Sequence, residues 1–182
     1  MLQHTELALY FRRPDYPRDR WACVRGARFA VGLGTPSTGP LVAGTLDTHL
    51  AGSLISTRLV HEGCSTGQCL GPVAVVVDLR IDHTLYDAEG TGRWFAGAVK
   101  VRTNPGRVIA VIVRETPATG DDVGYDPGPG PFRVDVVDAR GRRTVGSGTG
   151  IDPAFLQVSN RRVTWKQNGK LVRAVVTGRG GA

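Results

Sequence analysis

The sequence predicts an all-β protein assembled from repeated four-stranded antiparallel meanders, and three observations carry that expectation. Apolar residues alternate with polar ones over short runs, and no stretch keeps the roughly 3.6-residue spacing of a buried helix face. The 25 Gly and 11 Pro among 182 residues supply the turns that many short strands need. A hairpin-like pattern also recurs at intervals of roughly 50 to 60 residues, in the range of repeated structural units.

The first copy of this hairpin is WACVRGARFAVGLG, residues 21–34. The second runs from Gly71 and Pro72 through VAVVVDLR to Thr84 and Leu85. The third runs from Gly130 and Pro131 through FRVDVVDAR to Thr144 and Val145, with one residue inserted relative to the second. The second and third are each an extended run, a polar turn opened by Asp and Arg, and another short strand; VRGARFAVG of the first resembles ARGRRTVG at 139–146. Asp78 recurs as Asp138. A residue that returns at the same place in successive units shapes a turn more readily than it catalyses, because an active site needs asymmetric roles.

A second kind of segment alternates with these hairpins, at 40–56, 97–113 and 155–167. Each is an alternating run, a polar turn and a more strongly apolar run; Asn104, Pro105 and Gly106 in one, and Ser159 and Asn160 in another, suit tight turns. IDPAFLQ, at 151–157, permits one helical turn after Asp152 and Pro153. The closing stretch VSNRRVTWKQNGKLVRAVV holds the strongest short-range hairpin signal, Asn168 followed by Gly169, which should pair 163–166 with 171–175. An apolar last strand needs a cover on its other edge, and LALYF at 7–11 is the apolar run that no repeat uses. The two termini are therefore expected side by side, in one sheet or across a dimer interface.

One segment of each kind makes a four-stranded unit, giving a single domain of about three units at 7–56, 57–113 and 114–176. Repeated radially, such units form a partial, propeller-like stack; folded face to face they give a sandwich or barrel. Three units fall short of the roughly four to eight blades that close a propeller.

The ending GTGIDPAFLQVSNRRVTWKQNGKLVRAVV, preceded by FRVDVVDARGRRTVGSG, resembles a group of uncharacterised actinobacterial proteins, many of them secreted, with propeller-like strand repeats. Their ending has a Gly-Ile-Asp-Pro turn, an apolar strand, a Tyr- or Trp-containing strand and a Gly-turned hairpin. The resemblance is good over 98–176 and weaker over 7–86. It implies a propeller-like architecture and an extracellular location, and it brings no catalytic residue with it.

Composition narrows the function classes. A chain of this length buries roughly 70% of its unfolded surface, enough for a sizeable core. No run approaches the roughly 18 apolar residues of a membrane span, and the N-terminus lacks the apolar core of a signal peptide, so the chain as written starts in the cytoplasm. The net charge of +7 invites a nucleic-acid reading. Yet the basic residues gather at expected turns, 25–28, 140–143 and 160–162, and not along one face interleaved with aromatics, so solvated turn charges are the preferred account.

The densest reactive cluster is HEGCSTGQC, with His61, Cys64 and Cys69. Structural zinc takes about four ligands, and Cys23 with His49 or His83 would have to complete the set. A disulfide between Cys64 and Cys69 is simpler, with Cys23 as an alternative partner for either; unpaired thiols and a metal site are the other readings. Asp121, Asp122 and Asp126 share the Gly/Pro-rich stretch 119–131 and could begin a calcium shell, but the EF-hand pattern is missing, so a solvated loop is expected. No phosphate loop or nucleophile elbow is present, and Glu62, Asp82 and Asp87 would need folding to bring them together. Trp21, Trp94 and Trp165 are expected to pack between sheets. The sequence therefore points to a non-enzymatic β-repeat binding or structural module that acts through its turns, with no assigned cofactor or catalytic residue and with a protein or an extracellular ligand as partner. The alternative is a hydrolase or carbohydrate-active domain with its site on loops 57–71 and 115–131.

Overall fold

A computed structural model describes residues 3–4, 8–26, 30–34, 44–60, 73–79, 93–96, 98–115 and 130–178. These residues form antiparallel β-strands joined by turns, and none is helical. Accordingly, no helix among them is long and apolar enough to cross a membrane. The strands are β1 (Gln3–His4), β2 (Ala8–Arg13), β3 (Tyr16–Val24), β4 (Val31–Gly34), β5 (Gly44–Ala51), β6 (Leu54–Val60), β7 (Val73–Asp78), β8 (Arg93–Ala96), β9 (Ala98–Thr103), β10 (Ile109–Arg114), β11 (Phe132–Asp138), β12 (Gly141–Gly148), β13 (Ile151–Val158), β14 (Arg162–Gln167) and β15 (Lys170–Val175).

They make four sheets, each a meander in which every strand pairs with the one before it in the chain: β1 to β4, β5 to β8, β9 to β12, and β13 to β15. Two copies of the first kind of hairpin supply the third and fourth strands of a sheet, as β3 with β4 and β11 with β12. In the remaining copy the extended run is β7, Thr84 and Leu85 lie outside the described residues, and β7 pairs instead with β8, beyond the expected hairpin. The second kind supplies the opening pair, as β5 with β6, β9 with β10 and β13 with β14. The third sheet is the second kind followed by the first, and the expected unit boundaries after residues 56 and 113 fall inside β6 and β10. The decisive pairings are β6 with β7 and β10 with β11, which cross connections of twelve residues or more and have no turn signature to announce them.

Packing runs from each sheet to the next. β5 lies against β2 and β4, β9 against β5, β6 and β7, and β13 against β9, β10 and β11. The opening strand of each later sheet thus rests on the preceding sheet. The third sheet is covered on both faces. Ile109, Val111 and Val113 of β10 join Val76, Ala98, Val101 and Val137 in one cluster, while Ala110 and Ile112 join Phe132, Val134, Leu156, Val163 and Trp165 in another. That is why β10 reads as an unbroken apolar run: a strand with both faces buried has no polar positions to alternate.

Two expectations give way here. IDPAFLQ is strand β13, not a helical turn. Asp152 accepts the N–H of Ala154 at 2.9 Å, and the register with β14 jumps between Ile151 and Leu156. The Asp-Pro pair that would open a helix instead forms a bulge, where proline's missing N–H leaves no ladder bond unmade. LALYF does not lie beside the last strand. Leu9 pairs with Cys23 and with His4, and Tyr10 with Ala22 and Gln3, so both edges of β2 are occupied within its own sheet. The turn at Pro14 and Asp15 closes that hairpin locally, at far less entropic cost than joining two chain ends. The expected tight turn is present: Asn168 and Gly169 have φ of 50° and 74°, and Gln167 pairs with Lys170, as a two-residue type I′ turn requires.

Candidate functional site

The polar groups of the last two sheets form two constellations of opposite character. The first is a pair of buried carboxylates. Asp138, the last residue of β11, has no exposed side-chain surface; Arg143 grips it with Nη1 to Oδ1 at 2.6 Å and Nη2 to Oδ2 at 2.9 Å. Oδ1 also accepts the Arg140 N–H and Oδ2 the Thr177 N–H, each at 2.9 Å. The Arg143 guanidinium holds this carboxyl well below the usual carboxylate range, and the two N–H donors help it outweigh burial. Asp135 has its pKa pushed up by burial, but donors from Arg142, Thr144 and Arg133 reverse the balance and lower it. The expectation that the recurring Asp shapes a turn holds at Asp138: it fixes the β11–β12 turn and anchors the chain after β15, where the Ala139 N–H also donates to the Thr177 carbonyl.

The second constellation is a cleft of about 610 Å³ lined by His49 of β5, Arg102 and Thr103 of β9, residues 156–159 along and just beyond β13, Arg162 and Thr164 of β14, and Leu171 and Arg173 of β15. Three arginines and a histidine line it with hydroxyl and amide groups, and no carboxylate, Phe, Tyr or Trp side chain is among the described lining residues. Strand alternation puts Arg162 and Thr164 on the face of the fourth sheet opposite Val163 and Trp165, which are buried. Arg102 Nη1 donates to the carbonyl of Val101 at 2.7 Å.

The two walls of the cleft are tied together. Asn104, buried in the β9–β10 turn, accepts the Val108 N–H at 2.9 Å and donates through Nδ2 to Oδ1 of Asn160, in the β13–β14 turn, at 3.0 Å. Gly106 permits that approach, since a Cβ there would stand 2.6 Å from Asn160 Oδ1.

Of the residues singled out from sequence, His61, Cys64, Cys69, His83, Asp121, Asp122 and Asp126 lie outside the described residues, as does most of loops 57–71 and 115–131. Cys23 is a half-buried free thiol on β3, and burial pushes its pKa up. His49 faces the arginine cleft. Among the described residues no group of three His, Cys, Asp or Glu side chains could hold a metal. Sequence reasoning placed the basic residues at turns and missed the convergence of Arg102, Arg162 and Arg173. Alternation alone puts Arg162 and Arg173 on one face, but only the packing of β9 against β13 brings Arg102 to them. Comparison with protein-family models, curated proteins and solved structures finds no match to the chain.

Proposed function

We propose that the chain is a non-enzymatic binding module, an open stack of propeller-like β blades that presents the cleft on its last sheet to an anionic ligand. The observation that carries this reading is the lining itself. Arg102, Arg162, Arg173 and His49 converge with hydroxyl and amide groups among the described lining residues. Guanidinium groups so placed bind carboxylate, sulfate or phosphate oxygens by charge-assisted, often bidentate hydrogen bonds.

A non-catalytic role is supported by the buried carboxylates. Asp135 and Asp138 are engaged by arginine and N–H or O–H donors that hold them ionised, a state unsuited to exchanging protons near neutral pH. Four consecutive meanders packed in chain order support the blade-like stack. The resemblance of the C-terminal half to secreted actinobacterial proteins supports action outside the cytoplasm.

Calorimetric titration with citrate, inorganic phosphate and glucuronate tests the reading. At least one should bind with an affinity that falls as salt rises, and Arg102→Gln and Arg162→Gln should each weaken it about tenfold, the loss of one charge-assisted contact. Binding that neither variant affects would refute the cleft as the site.

A further inference from the structure

Among the described residues the first three sheets each have four strands and the last has three, so β15 is a sheet edge of that set. The phase of its backbone follows from the turn. Gln167 and Lys170 flank a two-residue loop and form a hydrogen-bonded pair, so the N–H and C=O of Val172 and Ala174 face β14, while those of Leu171, Arg173 and Val175 face outward. Contacts farther along agree: the outward Val175 carbonyl accepts Arg140 Nη2 at 2.7 Å and Arg143 Nη2 at 3.1 Å, and outward Thr177 pairs with Asp138 and Ala139. The β11–β12 turn thus caps one end of the edge. Among the described residues nothing pairs with the backbone of Leu171 or Arg173 on that side.

The side chains of this open stretch are as distinctive as its backbone. Leu171 is 55% exposed and Val175 74%, and these are the exposed large apolar side chains of the described residues. They flank Arg173 on one face of one strand. Lys166 and Lys170 stand nearby, so the apolar pair sits in a basic surround.

We propose that the edge of β15 between Leu171 and Val175 binds an extended peptide as the missing fourth strand. The peptide carries an acidic side chain opposite Arg173, with apolar side chains two positions away on either side, opposite Leu171 and Val175. Backbone pairing supplies the affinity and the alternate side chains supply the selectivity. This rests on the reading of the cleft as an anion site, since Leu171 and Arg173 also line it, and it specifies the anion as a side chain of an extended strand. A second copy of the chain is a poorer occupant. Two-fold antiparallel pairing of this edge with itself sets Arg173 opposite its own counterpart, and like charges directly opposite are destabilising.

The test uses a fluorescein-labelled heptapeptide, Thr-Val-Thr-Glu-Thr-Leu-Thr, a version with Lys for Glu, and a version N-methylated at Glu. Fluorescence anisotropy should show the Glu peptide binding about five- to tenfold more tightly than the Lys peptide, a preference that Arg173→Glu inverts. N-methylation should abolish binding by removing the N–H that faces β15. An unchanged preference in Arg173→Glu with an unchanged melting temperature, full binding of the N-methylated peptide, or no binding of the Glu peptide would each overturn the proposal. So would a dimer in sedimentation that Arg173→Glu dissociates, which would assign the edge to a second copy. If citrate still binds in an Arg162-dependent way while the peptides fail, the anion-binding module stands and strand addition falls.

Discussion

The third and fourth sheets follow one another in the chain and pack face to face, yet they are made on opposite terms. In the third, β10 buries both faces, and every residue from Val108 to Val113 is buried. In the fourth, β14 buries Val163 and Trp165 and turns Arg162 and Lys166 to solvent. The third sheet is interior to the stack. Among the described residues the fourth sheet packs against the third, and the face of β14 that carries Arg162 and Lys166 is turned outward. The exposed β15 leaves an open edge, and the seam where β9 packs on β13 carries a charged cleft. Stability should therefore concentrate in the apolar layer between the sheets, and binding along its polar margin and the open edge.

The strongest way to break this contrast is at the interface. Trp165 is 2% exposed and fills the layer between the two sheets, so Trp165→Ala should cost about 3–5 kcal/mol in urea denaturation. Its neighbour Gly146 sharpens the point. A Cβ at 146 would sit 2.5 Å from Trp165 Cζ2, within the ring's own volume, so Gly146→Ala should cost about 1–3 kcal/mol. Much of that loss should vanish in a Trp165→Phe background. If Gly146→Ala is as harmful there as in the parent, the ring is not what excludes the side chain.

Next in size is the Asp138 latch, which joins the third sheet to the chain leaving the fourth. Asp138→Ala removes the partner of Arg143 and the acceptor for two N–H groups, at a cost of about 3 kcal/mol. Arg143 keeps some access to water, which limits the penalty. Unfolded, this carboxyl takes up a proton near pH 4; folded, it resists protonation to much lower pH. The unfolded chain therefore binds more protons in that range. The stability the latch adds is complete above about pH 5 and is lost as pH falls through 4 toward the folded value. Asp135 acts in the same direction. Asp138→Asn should flatten the acid limb of melting temperature against pH and leave the slope between pH 6 and 8 unchanged.

Much of this contrast was legible in the sequence, and what was not has a physical reason. The run VIAVIV at 108–113 and the alternation in RVTWKQ at 162–167 state one- or two-sided burial directly, and Asn168 with Gly169 fixes the last hairpin through backbone conformation alone. Those are local properties. Sheet boundaries are not legible locally because they depend on which strands pair across long connections, and nothing local marks the pairing of Leu54 with Asp78. Asp152 and Pro153 were ambiguous because the same Asx hydrogen bond that caps a helix also closes a bulge. The cleft was hidden for a third reason: Arg102 and Arg162 are sixty residues apart and meet only through sheet packing.

A smaller effect belongs to the turn at the far end of the fourth sheet. Gly169 has φ of 74° with nothing near a built Cβ, so Gly169→Ala meets strain and no clash and should cost about 1 kcal/mol. A loss of 3 kcal/mol or more would mean that the turn is packed against something.

The smallest expected change lies on the outer face. Lys166→Ala and Arg173→Ala remove exposed side chains that alternate with Trp165 and Val172, and each should move stability by less than about 0.5 kcal/mol. The two should part company in binding. Arg173 lines the cleft and Lys166 does not, so Arg173→Ala should weaken binding of an anionic ligand, while Lys166→Ala acts only through long-range charge and fades as salt shortens the screening length. Measuring both variants at about 0.05 and 0.5 M salt separates the roles: the Arg173 deficit should persist at high salt and the Lys166 deficit should disappear. If either variant instead lowers the melting temperature as far as Trp165→Ala does, the outer face is a packed face. The fourth sheet would then be packed on both faces like the third, and its cleft a gap within that packing.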